Sequence, residues 1–229
     1  MKKLMLLIKL LLSLPKTLFF NFKTFPFRVA IHLPVLISYN TKISNVRKGS
    51  CIINSKISRF MIKVNFTNGS DGVNQSLKNS GFFCIKDEGK IVFNGKANFA
   101  SGVSIRVDDK GSLVFGSNFD CNRNCFIACR ENITIGDNVL FGWSVSIRDS
   151  NGHKIYNILD NSIDKNTEPV KIGNHIWVGA NVDILKGAEI ADDCIIGFNS
   201  CVTRKFKERH CTLAGYPAKI VRENVGWVR

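Results

Sequence analysis

Acidic residues are missing from the first seventy positions of this 229-residue chain; Asp71 is the first. Twelve Lys or Arg precede it, from Lys2 to Lys63, and they account for most of the net charge of +14. A segment that is basic and apolar at once points to an anionic surface. Its interleaved Leu and Phe favour a membrane over nucleic acid, because apolar burial and attraction to phosphate add together there. C-x-x-C pairs are missing too. The eight cysteines (Cys51, Cys84, Cys121, Cys125, Cys129, Cys194, Cys201 and Cys211) have no His at zinc-finger spacing. No metal site is expected, and reduced, buried thiols of a cytosolic protein are the reading. Nor is there an apolar run long enough to span a bilayer: residues 4–14, LMLLIKLLLSL, are interrupted by Lys9 and followed by Pro15, short of the roughly 20 apolar residues a span needs. No small-x-small cleavage site follows, as a secretory signal requires. An amphipathic anchor over 1–37, lying in the membrane plane, is the preferred reading. A signal peptide and a helix packed on the rest of the protein are its alternatives.

What is present is a period of six. Ile172, Val178, Ile184, Ile190, Ile196 and Val202 recur without a break, and Gly173, Gly179, Ala191 and Gly197 follow four of them. Ile135, Phe141 and Ile147 keep the same spacing. Phe115, Cys121, Ile127 and Ile133 keep it in a register offset by two, with weaker echoes at Ile91, Val103 and Ile105. Six is not a multiple of the helical 3.6, and sandwich turns recur about every 8–12 residues. One inward aliphatic residue per hexad instead describes a short strand, and three such strands close one triangular coil. Stacked coils turn the aliphatic positions into core columns. Glycine after the aliphatic residue is expected to supply a corner conformation that a Cβ would oppose. Asp137, Asn138, Asn174, Asn181, Asp192 and Asp193 are expected to hold left-handed corners. The fold class is therefore an all-β parallel β-helix with a helical, basic N-terminal appendage. Residues 1–48 are the basic apolar segment, 49–222 the β-helix, with 49–100 read as irregular early coils, and 223–229 a tail.

The repeat breaks once in the C-terminal half, at a loop spanning 148–171. Long excursions from a rigid scaffold usually carry function. His153 opens this one, and imidazole as a residue type is suited to taking a proton at neutral pH. Asp149, Asp164 and Glu168 are near enough in sequence to orient it, and Asp149 is the choice.

Three segments, RDSNGH (148–153), PVKIGNHIWVGAN (169–181) and AGYPAKIVR (214–222), resemble the hexapeptide-repeat acyltransferase family, in its branch of maltose, galactoside and capsular polysaccharide O-acetyltransferases. The likeness covers about residues 110 to 222. It implies a left-handed winding, an exception to the usual crossover rule, a homotrimer with sites between subunits, and acetyl-CoA as co-substrate. It implies His153 as general base, and Asn122, or its neighbour Asn124, on the acceptor hydroxyl, with Asp149 also beside the acceptor. Trp177 would line the pantetheine slot, unless it is a packed surface Trp. The Ala180 N–H would face the thioester oxygen. Gly179, Phe198, Thr203, Arg204 and Lys219 would complete the coenzyme site. Lys154 departs from the Pro common in sugar acetyltransferases and leaves the acceptor open.

These readings point to an acyl-CoA-dependent O-acetyltransferase. Its acceptor would be a sugar hydroxyl in capsule, O-antigen or exopolysaccharide synthesis, at the cytoplasmic face of the membrane and with no nucleic-acid partner. A xenobiotic or amino-sugar N-acetyltransferase is the enzymatic alternative, and a non-catalytic structural β-helix the other.

Overall fold

The computed structural model describes residues 2–67 and 80–229, with side chains from residue 4. Asp71 and the side chains of Lys2 and Lys3 lie outside the described residues. The chain winds through three sheets of nine, seven and seven strands, each strand pairing in parallel with its counterpart one coil later, except that the closing pair Thr212–Gly215 and Ala218–Arg222 is antiparallel. The result is a left-handed parallel β-helix of triangular section. The six-residue period becomes its core columns. In the second sheet Phe83, Ile105, Ile127, Ile147, Ile184 and Val202 stand over one another, each at most 1% exposed.

Coil length explains why the earlier hexads look shifted. Phe93 pairs with Phe115, Phe115 with Ile135, and Ile172 with Ile190, so the chain needs fewer residues per coil as it winds toward the C-terminus. The early coils spend the additional residues on longer strands such as Ser112–Phe115 and Phe126–Cys129. Their wider section is filled by rings. Phe93 stacks on Phe115 at 5.5 Å, Phe119 lies 4.8 Å from Phe115, and Phe141 lies 5.0 Å from Phe119. The narrow final coils are filled mainly by Ile and Val, with Phe206 the one buried ring among the described residues there, which is why Phe is concentrated early in the chain.

Three expectations are corrected. The β-helix does not begin at 49: strands Val35–Ile37 and Thr41–Ser44 already belong to the first coil. The described part of 49–100 is mostly coil in register, Cys51 opposite Ile91 and Ile62 opposite Ala97, with one irregularity where the register shifts between Val64 and Thr67. Nor do the repeat glycines serve positive φ, which is found at Gly49, Gly102, Gly152, Gly187 and Gly215. Gly142 is required because a Cβ there would meet the Ala180 nitrogen at 2.6 Å, in the next coil. The polar corner residues divide two roles between them. Asn138, Asn181 and Asp193 take left-handed φ. Asp137, Asn174 and Asp192 accept backbone N–H bonds from Ser117, Asp137 and Asn174 respectively, at 2.6–2.8 Å, and so tie successive coils.

Helix α1 (Lys2–Thr24) closes the N-terminal end. It packs by a polar stripe. The Asn21 side chain accepts from Val35 N and donates to Val35 O, Thr17 does the same at Ile37, and Ser13 accepts from Tyr39 N. Four helical residues rise about 6 Å and two strand residues about 6.6 Å, so the three side chains meet alternate residues of the open strand edge. Phe20 enters the core edge-on to Phe83 at 5.2 Å. Helix α2 (Phe27–Ala30) completes the cap, with Ala30 buried.

Candidate active site

Two corners flank the outer face of the second sheet, and most of the expected site residues fall on them, Trp177 and Lys219 excepted. The first corner, entering that sheet, carries Asn122–Asn124 in the fourth coil, then Gly142–Ser144, Gly179–Asn181 and Gly197–Asn199. Asn124, Ser144, Asn181 and Asn199 have φ between 54° and 60°. Ser144 N donates to Arg123 O, Asn181 N to Trp143 O and Asn199 N to Ala180 O, at 2.8–3.0 Å. Arg123, Trp143, Ala180 and Phe198 are therefore one column. Asn122 is buried and Asn124 exposed. Among the described residues the N–H groups of Trp143, Ala180 and Phe198 donate to nothing within the chain. Phe198 is 62% exposed and Trp143 45%.

The second corner, leaving that sheet, carries the arm. In the fifth coil the chain departs after strand Ser146–Arg148 and returns at Val170–Ile172. Between them it forms a two-stranded arm, held by the bridges Ser150 to Thr167 and Tyr156 to Ile163 and turned over Asn157–Ser162. Its base is tied down by Lys186 Nζ donating to Lys165 O at 2.6 Å and by the Lys165–Glu131 pair at 3.4 Å. The Thr167 hydroxyl beside Glu131, helped by Lys165, holds that carboxyl below its ordinary value. Residues 151–165 are all exposed. His153 follows Gly152, whose φ of +82° makes the bend, and it has no hydrogen bond, ion pair or ring contact among the described residues. Thr203 and Arg204 reach the same corner two coils later, the Arg204 guanidinium 5.0 Å over Phe206.

The structure separates the expected residues as well as gathering them. One strand width, about 13 Å for four residues, lies between the Asn122 corner and the root of the His153 arm. Asp149 is not beside His153. It is fully buried and accepts from the N–H groups of Arg130 and Glu131, both at 2.8 Å. It closes the turn of the coil below and is unavailable both to an imidazole and to an acceptor, which corrects both roles expected for it. Trp177 points outward from the first sheet. It lies 6.3 Å from Trp227, which stacks on His175 at 4.7 Å and donates its indole N–H to His175 O. The tail 223–229 is thus a strap laid along the third corner, with Arg229 paired to Asp120. His175 accompanies Asp193 there at 3.0 Å, and the Arg209 guanidinium keeps the Asp193 carboxyl low. Lys219 is exposed on the last strand, Ala218–Arg222. Sequence reasoning missed Trp143, Phe126 and Arg148. Arg148 sits 5.6 Å over the Phe126 ring, on the open face between the two corners. Strand alternation around Ile127 and Ile147 is the signal that places them outward.

The comparisons agree with this architecture. The family model "Bacterial transferase hexapeptide (six repeats)" matches residues 169–204. WbbJ of Escherichia coli (strain K12), named for an O-acetyl transferase role in lipopolysaccharide biosynthesis, is 34% identical over 150 residues, 61% of this chain and 74% of that protein. The galactoside O-acetyltransferase of the same organism is 35% identical over 112 residues, 49% of this chain and 54% of that protein. An uncharacterized 24.8 kDa protein from the cps region of Klebsiella pneumoniae is 27% identical over 211 residues, 90% of this chain and 86% of that one.

Proposed function

The chain belongs to the hexapeptide-repeat family of acyltransferases, and from that premise we propose that it transfers an acetyl group from acetyl-CoA to a hydroxyl of a bacterial surface glycan. The observation that carries the reading is the arm, which lifts His153, without a hydrogen bond or ion pair among the described residues, away from the C-terminal coils of the prism. His153 takes the proton of the acceptor hydroxyl as its oxygen attacks the thioester carbonyl. The tetrahedral oxyanion is met by the Ala180 N–H, which is unspent in the fold. Removing one such donor typically costs about 3–4 kcal/mol of barrier lowering. The departing thiolate recovers the proton from His153. Phe198, Gly179, Thr203, Arg204 and Lys219 line the path assigned to coenzyme A, with Arg204 suited to phosphate. Asn122 or Asn124 holds the acceptor, and Phe126 with Arg148 extends its platform.

The working unit is a homotrimer. Support comes from the arm's tip, where Ile158 and Leu159 are 85% and 94% exposed and Ile155, Tyr156 and Ile163 at least 50%. Such a patch on a projecting element calls for a partner, and a neighbouring copy would bring its first corner within reach of His153. The enzyme is cytoplasmic and peripheral to the membrane, where glycan intermediates are assembled.

The test is a thermal shift with acetyl-CoA on the wild type and His153→Ala. A ligand at 100 times its dissociation constant stabilises by about 2.7 kcal/mol, and both proteins should respond. Only the wild type should release free coenzyme A thiol when glycan acceptors are added. No shift at millimolar acetyl-CoA would remove the acyltransferase reading.

A further inference from the structure

Helix α1 is amphipathic in the reverse sense. Its five polar side chains between residues 4 and 22 are Lys9, Ser13, Lys16, Thr17 and Asn21, and all five bond the first two coils. Lys9 Nζ donates to Phe66 O at 2.7 Å and Lys16 Nζ to Thr41 O at 2.7 Å, beside the Ser13, Thr17 and Asn21 contacts already described. Burial of these ammonium groups pulls both lysines below their ordinary values. The outward face is left without polarity. Every exposed side chain from 4 to 22 is apolar, among them Leu4, Leu7, Leu11, Leu18, Phe19 and Phe22, each 41–61% exposed. A helix on a soluble protein turns its apolar stripe to the core and its charges to water; this one does the opposite.

The cap and first coil that carry that face are positive. Lys23, Arg28, Lys42, Lys48, Lys56 and Arg59 are exposed on the cap and first coil, and no acidic residue occurs before Asp71. Beside the helix, a groove floored by Leu12, Pro15, Phe19 and Ile43 opens next to Lys42. We propose that this cap is a docking surface for an anionic lipid membrane, with α1 lying in the membrane plane and the prism standing on it. The inference rests on the peripheral localisation proposed above and is independent of the transfer chemistry. Charge selects the occupant. A second copy on this face would bring two wholly basic coils together, whereas anionic headgroups answer the cations and the acyl layer takes the apolar face. Spanning is disfavoured by the same contacts. An α1 threaded through the bilayer would carry Lys9 and Lys16 into hydrocarbon and strip the open strand edge of its partners.

Flotation of the full chain with vesicles tests this, using phosphatidylcholine alone and phosphatidylcholine with one quarter phosphatidylglycerol. The wild type should partition at least tenfold more to the anionic vesicles and be released by 0.5 M salt. The double variant Leu11→Glu/Leu18→Glu should lose at least tenfold of that binding. Its circular dichroism and its thermal shift with acetyl-CoA should be unchanged, which separates failure of docking from failure of the transferase reading. Wild-type chain left at the bottom of the gradient would overturn the proposal. So would binding that the double variant keeps, release by detergent only, or a self-associated species in light scattering that the double variant dissolves.

Discussion

Asp149 shows how far a side chain's duty can lie from its place in the chain. It accepts from the backbone N–H groups of Arg130 and Glu131, 19 and 18 residues earlier, and from the Cys129 thiol, all one coil below. Hydrogen bonds to charged groups contribute about 1.5–3 kcal/mol each. Asp149→Ala should therefore lower stability by about 3 kcal/mol, read from denaturant midpoints, while turnover per folded molecule stays near wild type. A loss of turnover without loss of stability would restore the catalytic role. The cysteines carry a second residue-scale prediction. All eight are free and buried. Burial pushes the Cys51 thiol up to about 12 and raises the Cys129 thiol too, the latter with the Asp149 charge beside it. Only thiolate reacts with alkylating agents, so iodoacetamide at pH 8 should label none in the native protein within an hour and all eight in denaturant. The arm that carries His153 was legible in the sequence, because an unrepeated stretch in a repeated chain draws attention to itself. The task of Asp149 was not, because nothing in RDSNGH records which residues lie one coil below.

At the scale of elements the same contrast holds for the hexads and the helix. The final coils were legible because each is three hexads, one to a side. The earlier ones were obscured because their strands are longer, so a fixed period of six slides out of phase at Phe115 and loses Phe93 altogether. Helix α1 read as basic and apolar, and packing on the rest of the protein was only the alternative reading, because its partners, Val35 and Ile37 in a strand and Tyr39 just beyond it, were assigned to the appendage. That role makes a prediction. Asn21→Ala removes both bonds to Val35 in a buried setting, and an unsatisfied buried group costs about 1–3 kcal/mol. A thermal-melting loss in the upper part of that range is expected. Asn21→Asp, which keeps the acceptor but sets a buried carboxylate against the Thr17 and Val35 carbonyls, should fall at least as far. A neutral Asn21→Ala would show the helix to be loosely held.

For the whole molecule the unanswered surface is the arm. Its apolar tip makes Leu159→Asp the substitution to watch. Multi-angle light scattering should report three times the 25.6 kDa chain mass for the wild type and a single chain for the variant. Turnover should fall with it, because the two corners of one chain lie a strand's width apart. A monomeric wild type would require both corners to serve one site within a single chain.

Stacking also fixes a height. The arm leaves the fifth coil, four strand spacings of about 4.8 Å above the first, and the cap helix adds about 10 Å of its own thickness. A prism standing on lipid would thus hold His153 about 30 Å from the bilayer. Sugars next to a lipid carrier would pass beneath it, and only units well out along a growing glycan would be acetylated. The number of turns before the loop would then set which part of the polymer is modified.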